Sequence, residues 1–247
     1  MRNELVTQIF DVIKQYFSIP IGQSSLFYPA AQMIEVEQER VQYSPLARHH
    51  KAVGAKWSLQ LMDILSENVF YAHVEYGYQK AWRQEVLFFL RVQTEWKLMS
   101  VLRADTPSRH CNIHCPVHQQ SEELKAISDM LLRYGDGVYN LNATKALEEF
   151  DPHCRMLHPV ADGTTFADVS VEVFHERWSG LEHPSAQGIP QFTRIYHIEM
   201  LNHRVAIAKV GVSKRDENFN DYLACVKCDG QWKIVGKITD CLWIRPT

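Results

Sequence analysis

Long hydrophobic runs and an excess of charge of either sign are both missing from this 247-residue chain. The longest apolar runs, such as Val86–Leu90, are far shorter than the roughly 20 residues of a membrane-spanning helix. The formal net charge is −3, so the strongly basic surface that nucleic-acid binding usually needs is absent. We therefore expect neither a membrane nor a nucleic acid as a partner.

Several signals of chemistry and of export are also missing. The sequence has no serine nucleophile elbow, no glycine-rich phosphate loop and no paired-carboxylate motif, and we expect no cofactor. The N-terminal residues MRNELVTQIF place a charge inside the would-be apolar region and offer no small-residue cleavage site, which argues against a signal peptide. The 6 cysteines are therefore expected to be free thiols in a reducing, cytoplasmic compartment.

The strongest positive signal is an internal repeat. Residues 69–104 align with residues 205–240 at a constant offset of 136, without a gap. Identical or similar residues recur along the whole stretch, and Trp96-Lys97 falls on Trp232-Lys233. An unbroken offset across three predicted strands indicates two copies of one small domain.

Two shorter stretches extend the repeat at smaller offsets. Tyr16 matches Tyr134 at an offset of 118, and Phe27 matches Phe150 at an offset of 123. Because the offset grows along the chain, the second copy carries extra residues in its middle or the first copy has lost them. We expect the two copies to differ in function for this reason, with the first serving structure.

Residue periodicity predicts the elements of the first copy. Apolar residues at three- and four-residue steps indicate a helix from Val6 to Phe17 that Pro20 ends, and Ala47–Ala55 indicates a short helix with Arg48-His49-His50 on its surface. The predicted strands are Met33–Val41, Leu59–Ser66, Val69–Tyr78, Glu85–Gln93 and Glu95–Arg103.

The second copy has a clearer pattern of three helices and four strands. The predicted helices are Glu122–Tyr139, a helix that Asn142 caps and Asp151-Pro152 ends, and a helix from Asp168 to Gly180. The predicted strands are Phe192–Leu201, Val205–Val212, Asp221–Cys228 and Trp232–Cys241, with a type I′ turn at Asp229-Gly230. Helices followed by a strand meander predict an α+β fold, in which each copy is one curved antiparallel sheet with helices on its concave face.

The second copy resembles the nuclear transport factor 2-like superfamily, in its SnoaL-like and lumazine-binding branch. The residues that carry the resemblance are, in order, the helix with Tyr134, Asn142–Leu147, Phe150-Asp-Pro-His-Cys-Arg-Met156, Val205–Val210 and Asp221–Val235. The resemblance implies two tandem cystatin-like cones, each with a pocket between sheet and helices. It also implies diverse functions, including isomerases, dehydratases, cyclases and proteins that only bind or scaffold.

The repeat and the resemblance together predict the domain organisation. We expect a degenerate first domain over residues 1–106, a linker over 107–118, and a second domain with the better-formed pocket over 119–247. Isolated domains of this superfamily commonly pair through the outer face of the sheet. The resemblance therefore implies an intramolecular pseudo-dimer of the two tethered copies, and a further homodimer is left open.

Candidate site residues cluster in the second copy. The resemblance implies acid–base roles for Tyr134 and His153, because a histidine transfers protons near neutral pH and a buried tyrosine polarises a carbonyl. The predicted ligand-binding residues are His158, His175, Trp178, Tyr196 and His197. The alternative is that Tyr134 packs in the core with its hydroxyl bonded, while His153 caps a loop.

One segment raises a metal hypothesis, because thiolate and imidazole groups are zinc ligands. Such groups crowd the predicted linker as His110, Cys111, His114, Cys115 and His118. No second pair of ligands stands at the usual separation, and Cys225 and Cys228 point to opposite faces of a strand. We therefore expect a solvated linker that holds no metal.

Two functions remain open at this stage. In the first, the second copy holds a small organic molecule and, if it is an enzyme, acts as a cofactor-independent isomerase, dehydratase or cyclase. In the second, the chain is a non-catalytic scaffold or protein-interaction module whose pockets are filled by its own side chains. A polar group that faces a cavity in the second copy would favour the first function.

Overall fold

The computed structural model describes residues 2–20, 24–37, 40–49, 53–78, 81–106, 117–160, 165–178, 190–214 and 217–242. The chain divides into two compact units, Met1–Asn112 with Pro159–Thr165, and Ile113–His158 with Phe166–Thr247. The domain boundaries expected from the sequence stay a prediction. Within the described ranges, no helix has the length and apolar character needed to cross a membrane.

In its described residues, the first unit consists of one α-helix, a 3₁₀ turn and six strands. The helix α1 is Arg2–Ser18, and the 3₁₀ turn is Leu46–Arg48. The strands are β1 Phe27–Glu37, β2 Arg40–Pro45, β3 Trp57–Ser66, β4 Val69–Tyr78, β5 Ala81–Val92 and β6 Glu95–Thr106.

The second unit has three helices and six strands in the part of the chain that the structure describes. The helices are α2 Val117–Tyr139, α3 Ala143–Leu147 and α4 Val171–Trp178. The strands are β7 Phe150–Pro159, β8 Phe166–Ser170, β9 Thr193–Met200, β10 Val205–Lys214, β11 Glu217–Cys228 and β12 Gln231–Leu242.

The two sheets have the same strand order, β2-β1-β6-β5-β4-β3 and β8-β7-β12-β11-β10-β9. In each, the last four strands form an antiparallel meander, and the strand after the first helix pairs in parallel with the final strand. Phe27 lies opposite Leu98 and Phe150 opposite Ile234, at the offsets of the sequence repeat. The predicted tandem α+β fold is confirmed, with the correction that each sheet is mixed rather than wholly antiparallel.

The duplication extends to single hydrogen bonds at the start of the final strand. The backbone N–H of Leu98 donates to the carbonyl of Leu26 over 2.8 Å, and Ile234 donates to Glu149 over the same distance. At the end of β11, the turn residues Asp229 and Gly230 both have positive φ, 49° and 76°, as the predicted type I′ turn requires.

One face of each sheet is covered by the first helix of its unit. The helix side chains in the two cores recur at three- or four-residue steps and are fully buried: Ile9, Ile13 and Tyr16 from α1, and Ile127, Leu131 and Tyr134 from α2. Such spacing places all of them on one side of a helix, so that packing on the sheet buries them together. Full burial of one aliphatic side chain stabilises the fold by about 1.5–3 kcal/mol.

Two predictions for the first unit are wrong. The single strand predicted over Met33–Val41 is divided between β1, which ends at Glu37, and β2, which begins at Arg40 and runs back antiparallel. Of the described residues in the helix predicted over Ala47–Ala55, only Ala47 and Arg48 are helical, in the 3₁₀ turn. Three- and four-residue apolar spacing over so short a segment does not outweigh the cost of helix nucleation.

Two helix boundaries in the second unit are also wrong. Asn142 does cap α3 by accepting a hydrogen bond from the Lys145 backbone N–H, but the helix ends at Leu147 rather than Asp151. Phe150 begins β7 instead, because parallel pairing with β12, far along the chain, supplies its backbone hydrogen bonds. Asp168 lies in β8 rather than at the start of a helix.

Candidate functional site

A buried polar cluster interrupts the apolar core of the second unit. Tyr134 on α2 donates its hydroxyl hydrogen to Asp221 Oδ2 on β11 over 2.7 Å. Lys237 on β12 places Nζ 2.5 Å from Tyr134 Oη and 3.1 Å from Asp221 Oδ2. Thr239, directly opposite Asp221 in the sheet, donates to Oδ1 over 2.7 Å. The Asp221 side chain is fully buried, and that of Lys237 is 7 % exposed.

Burial keeps the Tyr134 phenol of this cluster protonated. Desolvation, followed by the charge of Asp221, raises the pKa of Tyr134 well above its usual range, so the phenol stays protonated. Burial likewise raises the pKa of the neighbouring Cys154 thiol. The Lys237 Nζ lies 5.1 Å from the centre of the Tyr134 ring and 5.6 Å from that of Phe174, where ring faces stabilise a cation. The cluster therefore combines a cation, a carboxylate and a neutral phenol.

The helix α4 brings two aromatic side chains to the cluster. Phe174 and Trp178 stand four residues apart and so share one face of α4, with ring centres 4.5 Å apart. Trp178 is buried in the core, and Phe174 packs against it while also lying over Lys237. At the corresponding place after β2, the described part of the first unit has only the 3₁₀ turn. The aromatic cover is thus a feature of the longer copy.

The first unit buries a corresponding cluster. Tyr16 on α1 and Tyr76 on β4 each donate a hydroxyl hydrogen to Glu85 on β5 over 2.7 Å. Arg103, directly opposite Glu85 on β6, donates to Glu85 Oε1 twice, over 2.7 and 2.9 Å. A third Arg103 hydrogen bond, of 2.7 Å, goes to Glu35 on β1.

The two clusters occupy matching positions of the repeat. Tyr16 and Glu85 fall on Tyr134 and Asp221 at the offsets of 118 and 136. Desolvation and Glu85 raise the pKa of Tyr16 far above its usual range. Burial alone would lower the pKa of Arg103, but Glu85 more than offsets this and raises it. Both units therefore hold a neutral tyrosine, a carboxylate and a cation inside the core.

The structure separates the residues predicted for the site into two groups. Tyr134 and Trp178 are buried in the core. The others lie outside it, with His158 half-buried and four side chains exposed, namely His153, His175, Tyr196 and His197. His153 faces away because its strand neighbour Cys154 points into the core, and side chains alternate along a strand. Tyr134 and His153 are therefore not brought together.

Tyr196 and His197 are adjacent and both exposed because β9 is irregular at this point. Lys209 on β10 pairs with His197 and the next residue, Val210, pairs with Ile195, so Tyr196 occupies a β-bulge. The strand is at the edge of the sheet, where bulges commonly protect against pairing with another chain. The ligand-binding roles predicted for the exposed residues stay predictions.

Sequence reasoning missed the charged members of both clusters, although the repeat contains a signal for them. Glu85 precedes the apolar run Val86–Leu90, and at the matching position Asp221 precedes Tyr222–Val226. A carboxylate that begins an inward-facing stretch in both copies indicates a buried charge. Lys237 is harder to identify, since the matching residue in the first copy is Val101.

A separate surface cleft of about 580 Å³ lies between α2 and the β11–β12 hairpin. Its lining includes Arg133, which pairs with Glu149 over 2.6 Å, and Lys227. Lys227 in turn lies 2.5 Å from Glu123, whose other oxygen accepts the indole N–H of Trp232 over 2.7 Å. None of the residues of the buried cluster lines this cleft.

The segment that was predicted to hold no metal, residues 110–118, lies outside the residues whose side chains the structure describes. Within the described ranges, no group of three histidine, cysteine or carboxylate side chains is arranged to hold a metal. The cysteines that are described, Cys154, Cys225 and Cys228, form no disulfide.

Comparison with known proteins finds a family that the second unit resembles. Residues 122–239 match the family described as "Putative lumazine-binding". No curated protein matches the chain.

Solved structures similar to the chain each correspond to about half of it. A nuclear transport factor 2-like protein of Shewanella baltica is 20% identical, with a TM-score of 0.45, over 51% of this chain and 97% of that one. One from Methylobacillus flagellatus is 18% identical, TM-score 0.44, over 53% and 97%. A ketosteroid isomerase-like protein of Erwinia carotovora atroseptica is 13% identical, TM-score 0.39, over 51% and 98%. The chain is thus a tandem α+β protein with two sheets of identical strand order, and the region of its second unit from 122 to 239 is similar to the lumazine-binding family.

Proposed function

We propose that the second unit binds a small organic molecule at Tyr134, Asp221 and Lys237, beneath the aromatic rings of α4. The observation that carries this proposal is the Lys237 ammonium, which pairs with a fully buried carboxylate inside an apolar core. Well-packed apolar residues in place of a buried ion pair are often neutral or stabilising, so stability alone does not account for such a pair. Departures from local packing rules concentrate at functional sites.

The chemistry of the cluster favours a ligand that presents a carbonyl or another oxygen acceptor. Lys237 donates to the Tyr134 oxygen over 2.5 Å, and Tyr134 donates its hydroxyl hydrogen to Asp221. A ligand oxygen would receive the Lys237 hydrogen bond in place of the Tyr134 oxygen, and the Tyr134 hydroxyl would turn from Asp221 to the same ligand oxygen. Asp221 would keep its hydrogen bond from Thr239 and could then accept a proton from the ligand. Phe174 and Trp178 supply the apolar surface on which a flat organic body stacks. The family description is in keeping with a small-molecule ligand.

If the bound molecule is converted, the same groups supply acid–base assistance without a cofactor. A protonated Tyr134 hydrogen-bonds a carbonyl oxygen, Lys237 stabilises negative charge that develops there, and Asp221 accepts a proton. Such assistance typically contributes about 10²–10⁴-fold to a rate. Isomerisation and dehydration are the reactions that fit this set. The catalytic role first predicted for the exposed His153 stays a prediction.

Native mass spectrometry of the full chain tests the proposal. We expect to detect one equivalent of a small molecule per chain. It is either retained through purification or added as a carbonyl compound from a library of flat organic ligands. Lys237→Met should weaken this binding. Tyr16→Phe, which changes the first-unit tyrosine that matches Tyr134 and lies outside the proposed site, should leave it intact. Binding that survives Lys237→Met in a folded protein would contradict the proposed site.

The second candidate function is a non-catalytic scaffold or protein-interaction domain. It is favoured by the complete burial of Tyr134 and Asp221, whose polar atoms are satisfied by partners within the same unit. Apolar side chains pack around them, among them Phe150, Met156 and Trp178. Failure to find any bound or bindable small molecule, with the fold intact, would support this candidate. The pairing of the two copies and a cytoplasmic location likewise stay predictions.

A further inference from the structure

Three side chains of the first unit line up as a nucleophile, a base and a carboxylate. Ser44 Oγ lies 2.5 Å from His49 Nε2. The other ring nitrogen, His49 Nδ1, lies 3.8 Å from Glu35 Oε2. In serine hydrolases the serine faces Nε2 and the carboxylate faces Nδ1, and such sites are recognised by this geometry rather than by their position in the chain.

Local structure explains how these residues meet. Ser44 is the penultimate residue of β2, and the 3₁₀ turn that follows folds the chain back, with the His49 N–H donating to the Leu46 carbonyl over 3.0 Å. Glu35 lies opposite Gln42 in the β1–β2 ladder, so its side chain is on the same face of the sheet as that of Ser44. A six-residue segment therefore supplies nucleophile and base, and the neighbouring strand supplies the carboxylate.

The buried cluster of the first unit holds this carboxylate in place. Arg103 Nη1 donates to Glu35 Oε1 over 2.7 Å, which leaves the second carboxylate oxygen, Oε2, towards His49. Arg103 is itself fixed by its two hydrogen bonds to Glu85. Residues whose rotamers are locked by buried partners give an active site the preorganisation that catalysis needs.

We propose that Ser44, His49 and Glu35 form a second site in the chain, with esterase-type chemistry on small, uncharged carboxylic esters. The side chains of His49 and Glu35 are 19 % and 23 % exposed, so solvent and a small substrate can reach them. Two carboxylates, Glu35 and Glu85, surround the single guanidinium of Arg103, which disfavours a phosphate or another multiply charged anion. This site is independent of the ligand site proposed for the second unit.

The reaction requires only the ester and water. Ser44 Oγ forms a bond to the acyl carbon, the bond from that carbon to the alcohol oxygen breaks, and the proton moves from Ser44 to His49 Nε2 and on to the leaving oxygen. Water then attacks the acyl-enzyme by the same proton route and restores the serine. His49 must be neutral to accept the proton, with its own hydrogen on Nδ1 towards Glu35.

The surroundings of His49 favour its neutral form. Desolvation is the largest effect and lowers its pKa; Arg103 and Arg83 act in the same direction, whereas Glu35 and Glu85 oppose them. Hydrolysis should therefore increase with pH and level off once His49 is neutral. The expected inflection lies below the usual histidine value of 6.5.

A fluorophosphonate probe tests the nucleophile directly, because its P–F bond breaks as serine oxygen bonds to phosphorus. We expect one equivalent of adduct on the full-length protein, mapped to Ser44 by peptide mass spectrometry and lost in Ser44→Ala. Ser18→Ala is the matched control, since this hydroxyl only bonds the Lys14 carbonyl at the exposed end of α1. An unlabelled wild-type protein, or an adduct mapped to another residue, would overturn the proposal even if Ser44→Ala fails to fold.

Hydrolysis of p-nitrophenyl acetate tests the two supporting residues. We expect His49→Gln to lower the rate by about 10²-fold or more, the usual contribution of a general base. Glu35→Gln, a change to a positioning residue, should lower kcat and displace the pH inflection while KM stays constant. Rates and pH profiles equal to those of wild type in both variants would contradict the assignment.

Discussion

In the first unit the buried carboxylate is Glu85, and in the second it is Asp221, one methylene shorter. The longer side chain receives hydrogen bonds from two tyrosines and from Arg103 on the opposite strand. Opposite Asp221 the sheet carries Thr239 instead, and the cation has moved two residues along the same face, to Lys237.

This difference changes what each cluster can do. In the first unit, Arg103 divides its donors between Glu85 and Glu35, so its hydrogen bonds are used within the protein. In the second, Lys237 places a single ammonium next to Tyr134 and near the Phe174 ring of α4. The duplicated core position thus holds a network centred on a guanidinium in one copy and a cluster with an ammonium in the other.

The largest expected effect comes from neutralising each carboxylate. Glu85→Gln and Asp221→Asn should each lower the free energy of unfolding by about 3–5 kcal/mol, because either change leaves a buried cation without its full partner. The loss should be larger for Glu85, which accepts four hydrogen bonds, two of them from Arg103, whereas Asp221 accepts two and pairs with Lys237. Urea unfolding measures both. Losses no greater than that of Glu95→Gln, at an exposed carboxylate, would show that the clusters do not stabilise the units.

A smaller effect separates the two repeated tryptophans. The Trp232 indole N–H donates to Glu123, whereas the Trp96 Nε1 has no partner among the described residues, since Leu5 matches Glu123 in the repeat. Replacement by phenylalanine removes similar apolar surface from both. Trp232→Phe should therefore cost more than Trp96→Phe by roughly 1.5–3 kcal/mol, the contribution of a hydrogen bond to a charged group. Equal shifts in the unfolding midpoint would remove this distinction between the copies.

The smallest effect is a pH dependence confined to the second unit. Desolvation opposes ionisation of Glu123, but hydrogen bonds from Lys227 and Trp232 outweigh it and lower its pKa below the usual 4.5. A lowered folded-state pKa stabilises the fold above the unfolded value, and this stabilisation is lost as the pH falls through the folded value. Glu123→Gln should thus destabilise the protein at neutral pH and much less in acid. The unfolding midpoints of the wild type and of Glu123→Gln are measured from neutral to acid pH. A difference between them that stays constant over this range would contradict the expectation.

The repeat allowed most of the sheet to be predicted, because apolar alternation and turn residues are local signals. The strands β7 and β8 could not be predicted in the same way. Pro152 and the polar residues around it read as the end of a helix, and only parallel pairing with β12 makes Phe150–Pro159 a strand. Such pairing depends on residues far along the chain and has no local signature.

Dependence on distant residues also explains which residues of the candidate site could be identified from the sequence. Tyr134 could be identified because the resemblance implies an acid–base residue on the first helix of the second copy, a helix with a strong apolar period. The orientation of His153 depended on the phase of an unrecognised strand, and that phase turns Cys154 inwards instead. Ser44 and His49 gave no signal because their contact requires the 3₁₀ turn where a longer helix was predicted.

Double-mutant cycles in both copies give the most direct test of the central claim, that each unit buries a coupled tyrosine–carboxylate pair at the same repeat position. The pairs are Tyr16→Phe with Glu85→Gln, and Tyr134→Phe with Asp221→Asn, each measured by urea unfolding of the full chain. We predict a coupling energy of about 0.5–3 kcal/mol in each unit, as for residues that share one hydrogen-bond network. Additive effects in either unit would contradict the claim for that copy.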